Sequence, residues 1–84
     1  AAGGEVQISG HTDNIPIAFS QRFDSNWDLS AARAASVADF FFANNNLDSN
    51  SVSVFGYADT KPVADNLNAQ GRAANRRIEI LIDG

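Results

Sequence analysis

Ile8-Ser9-Gly10-His11-Thr12-Asp13-Asn14-Ile15-Pro16, the stretch ISGHTDNIP, decides how this chain is read. Just upstream, Glu5-Val6-Gln7-Ile8-Ser9 alternates with period two, with Val6 and Ile8 on one face, and Gly10 closes what reads as a strand. The run then passes at once into His, Thr, Asp and Asn, four side chains that form hydrogen bonds. Lower down, the stretch VSVFGYADTKP, Val52 to Pro62, follows the same order of alternating strand, glycine, ring, carboxylate and proline. Two strand ends with matching equipment predict one shared rim.

Between them, the residues from about Asn26 to Ala43 have helical spacing. Trp27, Ala31, Ala34, Ala38 and Phe41, with Val37 beside them, make one stripe for a core. Ser25-x-x-Asp28 and Ser30 both offer N-caps, which leaves the start open by one turn. Asn44, Asn45, Asn46 and Asp48 are expected to end the helix. The segment from Asn14 to Ser25, holding Pro16, Phe19 and Phe23, reads as a loop that pins apolar side chains against the body. Beyond the second strand, a polar stretch with Pro62, Asn66 and Asn68 precedes a short helix from Ala69 to Arg76. The last strand sets Ile78, Ile80 and Ile82 on one face and Glu79, Leu81 and Asp83 on the other.

Strand, helix, strand predicts a right-handed βαβ unit with parallel strands, and the final strand can return antiparallel. The expected fold class is therefore α/β (α+β), a two-layer sandwich with a mixed sheet and helix on one face. Ligands of such sheets gather beyond the carboxyl ends of the parallel strands. His11 to Asn14, Tyr57 to Thr60 and the first turn of the long helix would share that edge.

At 84 residues the chain predicts a single small domain. It has no cysteine, hence no disulfide framework and no thiolate zinc site. Ten acidic and six basic side chains give a formal charge of −4, the opposite of the balance usual in nucleic-acid binders. No apolar run approaches the roughly 20 residues of a membrane span. The opening Ala1-Ala2-Gly3-Gly4 has the composition of neither a charged n-region nor an apolar h-region, so no signal peptide is expected. Arg72, Arg76 and Arg77 cluster near Asn75; such clusters are commonly solvated faces or sets of surface ion pairs.

Asp13 and Arg33 carry the strongest functional signal. A carboxylate after a strand can simply organise its own loop through an Asx-type turn, or it can receive a cationic group on a ligand. If Ser30 is the N-cap, Arg33 stands in the positive first turn, where a cation is unfavourable, and local rules are often broken at functional sites. Arg33 would then make a carboxylate receptor beside free backbone N–H groups. With a Ser25 cap it sits mid-helix and breaks no rule. Asp13 and Arg33 together would clamp a zwitterion, amine to Asp13 and carboxylate to Arg33. His11 has no second His, no Cys and no Glu-x-x-His spacing beside it, so neither a metal site nor a Ser-His-Asp triad is expected.

The motifs GHTDN, NWDLSAARAASV, VFGYADTKPVADN and GRAANRRIEI, in this order, resemble the OmpA-like peptidoglycan-binding domain over Val6 to Ile82. The insert IPIAFSQRFDSNW favours the stator branch, the periplasmic C-terminal domain of MotB/PomB flagellar proteins. The resemblance implies a non-catalytic domain without cofactor or metal, which binds the diaminopimelate stem peptide of peptidoglycan. It implies that Asp13 meets the ammonium and Arg33 the carboxylate, with Asn26, Thr12, the backbone around Leu29, and Arg76 in support. It further implies a periplasmic location and a parent anchored in the inner membrane. That parent would meet an ion-channel partner subunit through a preceding N-terminal region and form a homodimer. Family members open with a further strand and helix, so residues 1–84 read as a truncated fragment of one such domain, with a sheet edge left open to another chain. Rival readings are a porin- or lipoprotein-type envelope tether with the same ligand, or an enzyme acting on cell-wall peptides through His11 or Asp59.

Overall fold

The computed structural model describes residues 5–17, 22–44 and 49–83. Its elements run β1 (Glu5–His11), α1 (Asn26–Asn44), a short 3-10 turn (Ser49–Ser51), β2 (Val52–Gly56), α2 (Ala69–Asn75) and β3 (Arg77–Asp83). The sheet order is β2-β1-β3. β1 pairs parallel with β2, setting Ile8 against Val54 and Gly10 against Gly56. It pairs antiparallel with β3, setting Ile8 against Ile80 and Gly10 against Ile78. The α+β class with a mixed sheet is thus the one expected.

This register puts Val6, Ile8, Val54, Ile78, Ile80 and Ile82 on one face of the sheet and Gln7, Ser9, His11, Phe55, Arg77 and Glu79 on the other. α1 covers the first face, over β1 and β2. Val6, Ile8, Ala34 and Ala38 are buried there, and Val37, Phe41, Phe42, Val52 and Ile78 pack around them. Alanines on the helix let its backbone lie close to the sheet, and two glycines complete the fit. A Cβ on Gly10 would lie 2.0 Å from the Ser30 carbonyl oxygen, and one on Gly56 would lie 2.7 Å from the Ala31 nitrogen. Gly10 is therefore part of β1 and a contact surface rather than the stop that closes the strand.

One expectation changes, and the structure adds two particulars. Trp27, placed in the core stripe, is 56% exposed. Since Ser30 already meets Gly10 at the end of the sheet, the turn carrying Trp27 projects past it. Ile80 and Ile82 are 43% and 67% exposed, because α1 does not reach over β3. The N-cap is Ser25: its Oγ accepts from the Asp28 N–H at 3.4 Å and its carbonyl from the Leu29 N–H at 3.0 Å. Phe19 and the terminators Asn45, Asn46 and Asp48 lie outside the described residues.

α2 begins at Asn68, whose side chain accepts from the Gly71 N–H at 2.7 Å. It ends at Asn75, one residue earlier than expected, and Arg76 leaves the helical conformation at φ −79°, ψ 90°. Asn75 is fully buried and holds the preceding loop. Its Oδ1 accepts from the Val63 and Ala64 N–H groups, and its Nδ2 donates to the Ala64 carbonyl and to Asn66 Oδ1, all at 2.7–3.0 Å. That exit from the helix aims Arg76 at the rim.

Candidate functional site at the rim of the sheet

The two strand ends do share one edge. The Tyr57 N–H donates to the Gly10 carbonyl at 3.0 Å, and the Thr12 N–H donates to the Ala58 carbonyl at 2.8 Å. Ala58 is buried and has φ 54°, a left-handed conformation that costs a residue with a Cβ about 1 kcal/mol or more. Ser30 helps hold it there. Its buried Oγ accepts from the Ala58 N–H at 3.0 Å and donates to the Trp27 carbonyl at 3.1 Å. Ser30 is thus a strut between α1 and the tip of β2, and not a cap.

Asp13 sits on this edge with its side chain only 10% exposed. One oxygen, Oδ1, accepts from the Ile15 N–H at 3.0 Å, an Asx-type turn; the other, Oδ2, accepts from Arg76 Nη1 at 2.6 Å. The loop reading of Asp13 therefore holds, and the cation it receives in the structure is Arg76 of this chain. Thr12 is buried and donates through Oγ1 to the Asp13 carbonyl at 2.8 Å. Asn26, at the start of α1, donates to the Ile15 carbonyl at 3.0 Å and to the Asp13 carbonyl at 3.4 Å. A cavity of about 300 Å³ opens beside them between Asn14, Pro16, Asn26, Trp27 and Asp59.

Arg33 lies elsewhere on α1. With Ser25 as the cap it stands about two turns into the helix, so the argument from the positive helix end no longer applies to it. Its side chain is exposed and makes no ion pair with a described residue; it lines a second cavity of about 320 Å³ with Arg22, Phe23 and Leu29. Leu29 is half-buried at the near end of that cavity. Seven residues separate Asn26 from Arg33, which places both near one face of α1, about 10 Å apart along its axis. The described contacts join Asp13, Thr12, Asn26 and Arg76, and they leave Arg33 one step away.

The arginine cluster is largely the set of surface ion pairs expected of it. Arg72 donates to the Asn66 carbonyl at 3.0 Å, Arg76 pairs with Asp13, and Arg77 pairs with Glu79 and donates to the Lys61 carbonyl at 2.8 Å. The Arg76–Asp13 pair spans most of the sequence, and nothing in local spacing announces it. The expected helix ran through Arg76, so the exit of this side chain from α2 is a finding of the structure.

His11 takes the opposite, helix-free face, where it stacks on Tyr57 with ring centres 5.3 Å apart. Its Nε2 meets Ser9 Oγ at 3.1 Å, and its buried Nδ1 has no partner among the described residues. Burial, then the charge of Arg77, hold its pKa below the ordinary 6.5 against an opposing pull from Glu79, with a lesser lowering from Lys61. Above pH 6.5 both folded and unfolded chains carry the neutral ring. Below it the unfolded chain takes up the proton first, so stability falls as pH drops through the folded pKa. Urea unfolding between pH 8 and 5 should show this loss, and His11→Phe should flatten it. An unchanged slope in the variant would contradict the assignment. Glu79, held below its ordinary 4.5 by Arg77, adds its own loss only at lower pH.

A cavity of about 560 Å³, larger than the two above, also lies on the helix-free face, along His11, Tyr57, Phe55, Lys61 and Arg77. At the rim, beside one of the smaller cavities, the nearly buried acid Asp13 meets the part-exposed guanidinium of Arg76. Among the described residues no three His, Cys, Asp or Glu side chains converge as metal ligands, and no helix is long and apolar enough to cross a membrane.

Comparison with known proteins places this geometry in a family. The chain is 51% identical over 77 residues to Motility protein B of Bacillus subtilis, an alignment covering 92% of this chain and 29% of that protein. The chain thus spans under a third of that curated relative. Among solved structures, the cell wall anchor of the T6SS from Pseudomonas aeruginosa superposes with a TM-score of 0.85 at 49% identity, covering 94% of this chain and 54% of that one. The C-terminal domain of Helicobacter pylori MotB gives a TM-score of 0.86 at 30% identity, covering 95% of this chain and 59% of that one. The OmpA family pattern matches residues 2–76, and the chain belongs to the OmpA family.

Proposed function

We propose that the rim binds the diaminopimelate stem peptide of peptidoglycan without catalysis, and that the chain thereby anchors a flagellar motor stator unit to the cell wall. The observation that carries this reading is Asp13, an acid almost wholly buried yet kept at the open edge, with Arg76 beside it still 45% exposed. A buried carboxylate held by one N–H and one guanidinium retains lone pairs for a ligand ammonium. Arg76 and Arg33 offer forks for carboxylates on either side of it. Asn26, Thr12 and the backbone around Leu29 fix the loop and the helix start between them. Diaminopimelate is long enough to use both ends of this arrangement, since it bears an amino-acid head at each end of a short carbon chain. No cofactor enters the proposal.

Similarity to Motility protein B and to MotB structures supports the stator assignment. On that assignment the chain is a periplasmic domain of a longer, homodimeric parent held in the inner membrane. Its ion-channel partner subunit would be met through the parent's N-terminal region. The match to the T6SS cell wall anchor favours a second reading, in which the same ligand tethers a different envelope assembly.

Calorimetric titration with muropeptides tests the ligand. Diaminopimelate-containing fragments should bind, and fragments with lysine at that position, which lack the terminal carboxylate, should bind about tenfold or more weakly. Equal binding of the two, no binding of either, or turnover of any fragment would overturn the proposal.

A further inference from the structure

The helix-free face of the sheet holds a cavity that the stem-peptide reading leaves unused. Its volume, about 560 Å³, lies within the range of about 300–1,000 Å³ common to small-ligand sites. Three rings stand in near-parallel file along it: His11 lies 5.3 Å from Tyr57 and Tyr57 6.0 Å from Phe55, with interplanar angles of 16° and 14°. Phe55, last in the file, is 38% exposed. The Lys61 ammonium stands 5.5 Å from the centre of the Tyr57 ring.

The cavity is built rather than incidental. One wall, Lys61 to Val63, is braced twice: the Lys61 carbonyl accepts from Arg77 Nη2 at 2.8 Å, and the Val63 N–H donates to the buried Asn75 Oδ1 at 2.8 Å. His11, also lining it, is only 3% exposed, and its Nδ1 has no partner among the described residues. Buried polar atoms without a partner are uncommon in folded proteins. These features belong to β1, β2, the loop after β2, Asn75 and the start of β3, so none of them depends on what lies beyond β3.

The lining selects a chemistry. Arg77 and Glu79 are paired with each other, and Gln7 and Ser9 add uncharged hydrogen-bonding groups near the rings. Apolar rings interleaved with neutral polar groups suit a sugar, which has C–H faces and a hydroxyl rim. A lipid chain would leave the polar groups unpaired, and an added peptide strand needs a sheet edge rather than a face. The cavity is also close to the rim. His11 is two residues from Asp13, so their backbones are at most about 7 Å apart. In peptidoglycan, two amino acids and a lactyl group join diaminopimelate to its sugar, a link of about 10 Å or more.

We propose that this cavity is a second subsite, which holds the N-acetylated sugars of the glycan strand while the attached stem peptide occupies the rim. The identity of the sugar rests on the stem-peptide reading; the suitability of the cavity for a saccharide does not.

Calorimetry with two fragments tests the subsite: the diaminopimelate tripeptide alone, and the same tripeptide on its disaccharide. The disaccharide form should bind about fivefold or more tightly. Phe55→Leu keeps an apolar side chain at a part-exposed strand position but removes the ring, and Lys61→Gln removes the ammonium. Each should bring the affinity ratio of the two fragments toward one. Amide signals of Ser9, Phe55 and Lys61 in NMR spectra should shift with the disaccharide form and stay in place with the tripeptide. Equal affinities, a ratio unchanged in both variants, or shifts confined to Thr12, Asp13 and Asn26 would each overturn the proposal. Should no stem peptide bind, the rim reading fails by itself, and an N-acetylglucosamine oligomer at millimolar concentration decides the cavity. Shifts of the same amide signals would support a saccharide site there, and their absence would overturn it.

Discussion

Gly10→Ala is expected to destabilise the domain by about 3 kcal/mol or more, enough to leave a large unfolded population in a chain of this size. The added methyl group would stand 2.0 Å from the Ser30 carbonyl oxygen and 2.8 Å from its carbon. Both are backbone atoms of α1, so no side-chain rotation relieves the clash. The helix would have to lift from β1. Gly56, paired with Gly10 in the sheet, meets Ala31 in the same way, so one lifted turn opens the contact across both strands. A gap of even 1 Å forfeits a quarter to a half of the dispersion energy of the atoms lining it. The Ser30–Ala58 hydrogen bond that holds the rim would go with it. Urea denaturation measures the effect, with Ser53→Ala on an exposed strand position as the control. A Gly10→Ala protein within about 1 kcal/mol of its parent would mean that α1 does not sit on the sheet as closely as described.

Much of this arrangement is legible in the sequence, for identifiable reasons. The strands are plain because alternation of Val6 and Ile8, or Ile78 and Ile80, has a period that no helix shares. The long helix is plain from its alanine-rich stripe. What escapes local reading is distance in sequence. Ser30 looks like a cap and is a strut, because its partner Ala58 is 28 residues away. Gly10 looks like a terminator and is a contact surface, because the atom it must avoid belongs to α1. Trp27 fits the stripe by spacing alone, but the sheet ends before its turn begins. Asp13 is legible as a rim carboxylate, whereas its pairing with Arg76 links residues 63 positions apart. Arg33 was singled out by an argument about the helix start that Ser25 removes. What supports it in the structure is its exposure and the absence of an ion pair among the described residues.

The second large effect is on binding. Asp13→Asn keeps the shape of the side chain and an oxygen for the Ile15 N–H, but removes the charge that would meet an ammonium. Arg76 is left without its partner, though its exposure to water limits that cost. Arg33→Gln changes an exposed side chain without an ion pair among the described residues, so stability should hold within about 0.5 kcal/mol. Each substitution should remove a charge-assisted contact of roughly 1.5–3 kcal/mol, or about ten- to 150-fold in affinity.

Titrating the parent, Asp13→Asn and Arg33→Gln with one diaminopimelate stem peptide therefore tests the clamp most directly. The account predicts a folded protein in all three cases, with affinity lowered at least about tenfold by either change. Undiminished binding by both variants would show that the peptide, if it binds, is held by something other than this acid and this guanidinium.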